Sequence, residues 1–259
     1  MHNEILTIGK ITIYGYGLMI GIGFLTAVLV AMFRAKRLGL KQEAVLDIAI
    51  YCLIFGVLGG KILYVIVEWE RFLQNPWGVL GSSGFVVYGG IVIGVLTGYL
   101  YCRIKKLPFA TYFDLVMPEI SIAQGIGRIG CFLAGCCYGA PTDAAWGVIF
   151  PEGSLAPAGV KLIPTQLIMS AGDLLIAGIL ILFARKNKVP GNVGAVYLML
   201  YGLGRFAVEF LRNDSRGAVG ALSTSQFISI FIVAIGIGLF VFNHMKAKKK
   251  SATATETEQ

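Results

Sequence analysis

The chain has 259 residues, 56% of them hydrophobic and only 14% charged, with a formal net charge of +8. So apolar a chain lacks the polar surface to cover a water-soluble core, which excludes a soluble globular protein and gives the class as integral membrane. The positive balance does not imply a nucleic-acid partner, because the Lys and Arg residues fall in short clusters between apolar runs, the pattern of cytoplasmic loops.

A full crossing needs about 20 apolar residues. Residues 1–10 are polar. The first apolar run, 11–33, is Gly-rich without a small-residue cleavage site and reads as a retained helix rather than a removed leader. Runs 44–67 and 85–102 follow. Run 110–124 is shorter and leads into a glycine-rich motif, and 164–184, 193–211 and 223–243 complete the set. Fourteen cations sit around residues 34–41, 103–106, 185–188 and 246–250. The alternate loops hold four (Arg71, Lys161, Arg212 and Arg216), so the first group is expected inside. The prediction is an all-α polytopic integral membrane protein of about seven transmembrane helices, N-terminus outside and C-terminus cytoplasmic. An even number of spans would put the C-terminal lysines on the wrong side. Residues 1–245 read as one transmembrane domain, and 246–259 (KAKKKSATATETEQ) as a disordered cytoplasmic tail. Gly17 with Gly21, Gly56 with Gly60, and Gly90, Gly94 and Gly98 are spaced by four, which predicts close helix packing.

The stretch GIGRIGCFLAGCCYG, residues 125–139, contains G-x-G-x-x-G, but a span precedes it and CFLAGCCYGAPT follows. A dinucleotide site needs a strand before the glycines, a helix after them and an acid about 20 residues on, so the match is accidental. Cys131, Cys136 and Cys137 have C-x4-C-C spacing with no histidine nearby, whereas zinc sites usually show C-x2-C pairs. No metal and no cofactor is expected. The cysteines read as small apolar filler, with thiol chemistry at Cys136 and Cys137 left open.

Ionisable groups inside spans are costly and mark function. Lys61, Arg128, Arg205 and Glu209 stand out. Arg205 and Glu209 are i, i+4 and share a helix face with Tyr201, which suits either a structural ion pair or a functional one. Arg128 has no carboxylate close in sequence and stands among glycines whose backbone N–H groups can approach a ligand, the chemistry of a phosphate site. In the outer half of the bilayer, two such arginines suit a phospholipid headgroup. The only histidines, His2 and His244, are at the chain ends, so proton transfer falls to Tyr, Glu, Asp, Cys or the substrate.

These motifs resemble the prolipoprotein diacylglyceryl transferase family along essentially the whole chain, from IYGYGLM at 13–19 to LSTSQ at 222–226. GRIGCFLAGCCYG, 127–139, is similar to the family's G-R-I/L-G-N-F-x-N-x-E-x-x-G. YGLGRFAVEFLR, 201–212, is similar to Y-G-x-x-R-F-x-x-E-F-x-R, IPTQL at 163–167 to HP-S/T-Q-L, and YGG at 88–90 to HGG. The resemblance implies a bacterial inner-membrane enzyme that moves a diacylglyceryl group from phosphatidylglycerol to the lipobox cysteine of a prolipoprotein signal peptide, with release of glycerol phosphate. Carried over by position, Arg128, Arg205, Glu209 and Tyr88 are the expected catalytic residues. Tyr16, Lys61, Gly130, Cys131, Gly139 and Tyr201 are expected to bind substrate. Tyr88 stands where the family has histidine, Cys131 where it has asparagine, Cys136 where it commonly has an acid or amide, and Lys61 where it has arginine. The alternatives are the same chemistry on another thiol or hydroxyl acceptor, a non-catalytic anionic-lipid binder, or a small-anion transporter. The last is disfavoured by the absence of inverted repeats.

Overall fold

No water reaches the interior of a bilayer to satisfy backbone N–H and C=O groups, so an apolar chain crosses it as helix. A computed structural model describes residues 4–8, 11–214 and 217–257, and they are predominantly helical. A hairpin of β1 (Glu4–Ile8) and β2 (Ile11–Tyr14) opens the chain. It leads into α1 (Gly15–Arg37), α2 (Gln42–Val67), the short α3 (Trp69–Gln74) and α4 (Pro76–Gly81), α5 (Val87–Ile104) and α6 (Phe109–Ala134). β3 (Val148–Ile149) pairs antiparallel with β4 (Lys161–Leu162), followed by α7 (Thr165–Lys186) and α8 (Asn192–Glu209). β5 (Ala218–Val219) pairs with β6 (Leu222–Ser223) ahead of α9 (Thr224–Thr257).

Each of the seven apolar runs becomes a long helix. Five of them, α1, α2, α5, α7 and α9, are long and apolar enough to cross a membrane. The other two, α6 and α8, carry Asp114, Glu119, Arg128, Arg205 and Glu209, which lower their hydropathy. Large apolar side chains such as Leu25, Leu29, Leu175, Leu182 and Ile235 are more than half exposed, a surface that lipid can cover and water cannot. The protein is a multi-pass membrane protein. The short α4 begins with Pro76 in its first turn, and the Asn75 side chain accepts from Gly78 N at 2.9 Å, a start signal at the level of single residues. The sequence expects regular structure to end near Lys246, whereas α9 continues to Thr257. The Lys- and Ala-rich stretch there has good helix formers and no Gly or Pro to stop it. Arg216, one of the cations expected outside, lies outside the described residues.

The chain packs as two units, one of Met1–Val30 with Phe113–Gln259, the other of Ala31–Tyr112. In the second unit α2 lies against α5 so closely that a Cβ on Gly59 would meet Ile93 Cβ at 2.6 Å and Gly89 O at 2.8 Å. Small residues at both positions let the backbones touch. The expected packing role holds for Gly90, where a Cβ would meet Gly56 O at 2.9 Å; Gly60 makes room for the Phe85 ring, and at Gly56 and Gly98 a Cβ would make only ordinary contacts, at 3.5 and 3.7 Å. A Cβ on Gly17, Gly21 or Gly94 would meet nothing within 4 Å. Spacing by four finds a helix face, but not which face meets a neighbour.

In the first unit, Met117, Leu180, Val193 and Tyr197 form a buried core between α6, α7 and α8. Asp114 on α6 accepts from Gly191 N at 2.6 Å and Gly194 N at 2.8 Å, capping α8 from another helix. Beyond α6, Phe150, Ala156 and Leu162 pack with Phe132, Tyr138 and Val148, so the segment between α6 and α7 has an apolar core of its own.

Candidate functional site: an arginine cluster on three helices

Helix α6 is held against α7 by side-chain bonds to backbone carbonyls. Ser121 Oγ donates to Asp173 O at 2.6 Å, and Ser170 Oγ donates to Gly125 O at 2.7 Å. Gly125 permits the approach, because a Cβ there would meet Leu174 Cγ at 2.9 Å and Ser170 O at 3.1 Å. Tyr197 Oη on α8 donates to Gln124 Oε1 on α6 at 2.8 Å and stacks on Tyr201 with ring centroids 5.6 Å apart. These links fix three helices around the point where Arg128 leaves α6.

Arg128 is half-buried, and among the described residues its guanidinium has no hydrogen-bond or ion-pair partner. Arg205 pairs with Glu209 at 2.7 Å, both side chains at most 9% exposed, and Arg205 Nη2 donates to Ser225 Oγ on α9 at 2.6 Å. The i, i+4 pair expected from sequence is therefore formed. Asp173 on α7 is within electrostatic reach of both Arg128 and Arg205. It is only 5% exposed, and its Oδ2 has no hydrogen-bond partner among the described residues. Tyr201 is in turn within reach of Arg128. Asp173 is the residue that sequence reasoning missed. The signal was present, since it is the lone acid in the run 164–184. Among the described residues no ion pair joins Asp173 to either arginine, so the Arg128 fork is left open to an external anion.

The motif continues past α6 into a tightly held loop. Gln166 Nε2 donates to Cys136 O and Thr165 Oγ1 to Cys137 O, each at 2.7 Å, so the IPTQL stretch clamps the cysteine pair. Gly139 N donates to Ile163 O at 2.9 Å and Ala140 N to Leu211 O at 2.9 Å. Only glycine fits at Gly139, where a Cβ would meet Ile163 Cβ and Leu211 O at 2.7 Å. Arg212 holds Asp214 through both carboxylate oxygens, at 2.8 and 2.7 Å, and its side chain also hydrogen-bonds Cys137. Hydrogen bonds from Cys131 and Cys136, then the charge of Arg212, hold the Cys137 thiol well below the ordinary thiol range. The sulfurs of Cys131, Cys136 and Cys137 all lie within 4.8 Å of one another, the one group among the described residues that could hold a metal ion.

Tyr16, on α1, is 43% exposed and within electrostatic reach of Arg128 and all three cysteines. Gly130 lets α1 approach α6, since a Cβ there would meet Met19 Cβ and Tyr16 O at 3.1 Å. The first unit thus holds Tyr16, Arg128, Gly130, Cys131, Gly139, Tyr201, Arg205 and Glu209. Lys61 and Tyr88 belong to the second. There Lys61 Nζ donates to Ser82 O at 2.7 Å and Gly84 O at 3.3 Å and lies over the Tyr64 ring, so it closes the loop before α5. Tyr88, in the first turn of α5, is 45% exposed.

Fold and site together define a polytopic helical membrane protein with a cationic cluster inside its helices. The chain belongs to the prolipoprotein diacylglyceryl transferase family, whose model matches residues 3–242. It is 49% identical over 224 residues to phosphatidylglycerol–prolipoprotein diacylglyceryl transferase 2 of Clostridium perfringens (strain 13 / Type A), covering 85% of this chain and 87% of that one. The phosphatidylglycerol–prolipoprotein diacylglyceryl transferase of Clostridium tetani (strain Massachusetts / E88) is 47% identical, over 86% of this chain and 90% of its own length. That of Finegoldia magna (strain ATCC 29328 / DSM 20472 / WAL 2508) is 36% identical over 90% and 92%.

Proposed function

We propose that the protein transfers the diacylglyceryl group of phosphatidylglycerol to the thiol of a lipobox cysteine in a prolipoprotein signal peptide. The observation that carries this reading is Arg128, half-buried and with no hydrogen-bond or ion-pair partner among the described residues, which shares the electrostatic reach of Asp173 with an Arg205 that Glu209 and Ser225 hold in place. A planar guanidinium at each position engages phosphate oxygens as a fork and stabilises the charge that grows on the leaving phosphate. Glu209 orients Arg205. The substrate thiolate forms a C–S bond to the glyceryl carbon while the C–O bond to phosphate breaks, and the electron pair leaves on glycerol phosphate. The thiol proton goes to water or to the departing phosphate. An ordinary thiol, with a pKa of about 8.5, is a minority thiolate at neutral pH, and the positive field of the cluster raises that fraction. Tyr88 and Tyr16 serve as hydrogen-bonding groups for the headgroup or the nucleophile. A phenol with a pKa near about 10 is a poor base.

All seven long helices span the bilayer in this reading, with the N-terminus outside and the C-terminus cytoplasmic, in the cytoplasmic (inner) membrane of a bacterium. Residues 1–245 carry the activity, and the polar tail lies in the cytoplasm. The test is mass spectrometry of a lipobox peptide incubated with purified protein and phosphatidylglycerol. The expected product is the peptide heavier by one diacylglyceryl group on cysteine, with glycerol phosphate released. Glycerol phosphate release with the peptide unmodified would point to a different acceptor. Binding of phosphatidylglycerol with no release at all would make the protein a lipid binder.

A further inference from the structure

We propose that Cys131, Cys136 and Cys137 form a binding site for one soft metal cation, of the class Cu(I) or Zn(II), at the end of α6. The sequence argues against it because neighbouring cysteines ordinarily point apart. The folded chain removes that objection. Cys137 has a φ of 63°, in the left-handed region that non-glycine residues seldom adopt. The sharp turn it makes brings both side chains of the pair to the side where Cys131 stands in the last turn of α6. The three sulfurs lie within 4.8 Å of one another. Thiolates bound to one ion at about 2.3 Å stand about 4 Å apart, so side-chain rotation alone closes the site.

Three further observations support an ion rather than packing. The turn is held independently of the sulfurs, by Gln166 and Thr165 on the carbonyls of Cys136 and Cys137 and by Cys136 N on Cys131 O at 3.1 Å. The strained residue is therefore in place before any ligand arrives, as in a preorganised site. The donors are all sulfur, with no carboxylate or imidazole in the group, which selects soft cations over Mg, Ca or Mn. Arg212 hydrogen-bonds Cys137 and is itself oriented by both oxygens of Asp214. Three thiolates around a monovalent or divalent cation leave net negative charge, and a fixed guanidinium beside one sulfur offsets it, the usual role of an outer partner to a metal ligand. Binding releases the remaining thiol protons to solvent. Cys131 follows Arg128 by one helical turn, so an ion there ties the helix end that carries Arg128 to the loop beyond it.

The experiment uses the full-length protein, reduced and in detergent, titrated with Cu(I) against a chromophoric Cu(I) chelator and separately with Zn(II) against a zinc indicator. One equivalent of one of these ions is expected to bind. At saturation, alkylation followed by peptide mass spectrometry should find Cys131, Cys136 and Cys137 protected together, with Cys52 and Cys102 unchanged. This readout needs no variant and no turnover, so it stands or falls apart from the transferase reading. Cys131→Ser, Cys136→Ser and Cys137→Ser should each weaken binding by about 100-fold or more, beyond the loss typical of outer-shell changes. The proposal is overturned if the three thiols alkylate at the metal-free rate in the presence of either ion. It also fails if the triple serine variant keeps the same equivalent, or if two of the three are found joined as a disulfide in protein that binds neither ion.

Discussion

Arg128 and Arg205 carry the same charge in different settings, and their variants should fail differently. Arg128 has no hydrogen-bond or ion-pair partner within the described residues, so Arg128→Ala breaks no internal hydrogen bond or ion pair and should leave thermal unfolding in detergent nearly unchanged while abolishing transfer. Arg128→Lys should stay at least about 100-fold below the parent, because a point charge cannot reproduce the two-oxygen fork. Arg205→Ala leaves Glu209 buried without its ion-pair partner and should cost about 3 kcal/mol or more of stability in addition to activity. If Arg128→Ala unfolds as easily as Arg205→Ala, Arg128 is a structural residue. Asp173 supplies a second residue-scale prediction. Its negative charge lies within electrostatic reach of both arginines and opposes an incoming phosphate, so Asp173→Asn should lower the KM for phosphatidylglycerol by about tenfold with kcat equal or lower. A raised KM would show instead that Asp173 helps to bind the substrate.

At the scale of elements, the decisive contacts are those where one segment passes another at backbone distance. Gly139 is pinned between residues 163 and 211, so Gly139→Ala should destabilise by about 1–3 kcal/mol through overpacking, whereas Gly21→Ala, which meets nothing within 4 Å, should be neutral. Thermal unfolding of the two variants side by side checks it, and equal midpoints would contradict the loop geometry. The contrast also marks what the sequence can reveal. The seven helices were legible because apolar runs of sufficient length have one solution in lipid. The Arg205–Glu209 pair was legible because an i, i+4 spacing fixes geometry within a helix. Asp173 beside Arg128 was not, because that proximity depends on how α7 packs on α6, which no local spacing encodes. The contacts of Lys61 were not legible for the same reason. Its carbonyl partners, Ser82 and Gly84, lie across a loop whose path the sequence leaves open. The convergence of three cysteines turned on the backbone angle of one residue, Cys137.

For the whole molecule, the arrangement across the membrane follows from where the cations end each helix. Arg34, Lys36 and Arg37 close α1, Arg103 closes α5, and Arg185 and Lys186 close α7. Lysines at 246–250 follow the apolar part of α9. Helix C-termini carry partial negative charge, so each cluster is favoured where it stands by its own helix. Each is also favoured on the cytoplasmic side by the anionic leaflet and by the bias of insertion. In the proposed seven-span arrangement α2, α6 and α8 would run the opposite way, and the four clusters fall on one side only if all seven long helices cross. If α6 and α8 failed to span, leaving the five most apolar helices, α5 and α7 would follow one another in opposite directions, and Lys106 and Lys188 would face opposite sides. Reporter fusions at Lys41, Lys106 and Lys188 therefore separate the two arrangements. All three should read cytoplasmic, and an external reading at Lys188 with cytoplasmic readings at Lys41 and Lys106 would leave five spans. That outcome would also move Arg128 and Arg205 out of the bilayer, and with them the reason for a lipid phosphate as their ligand.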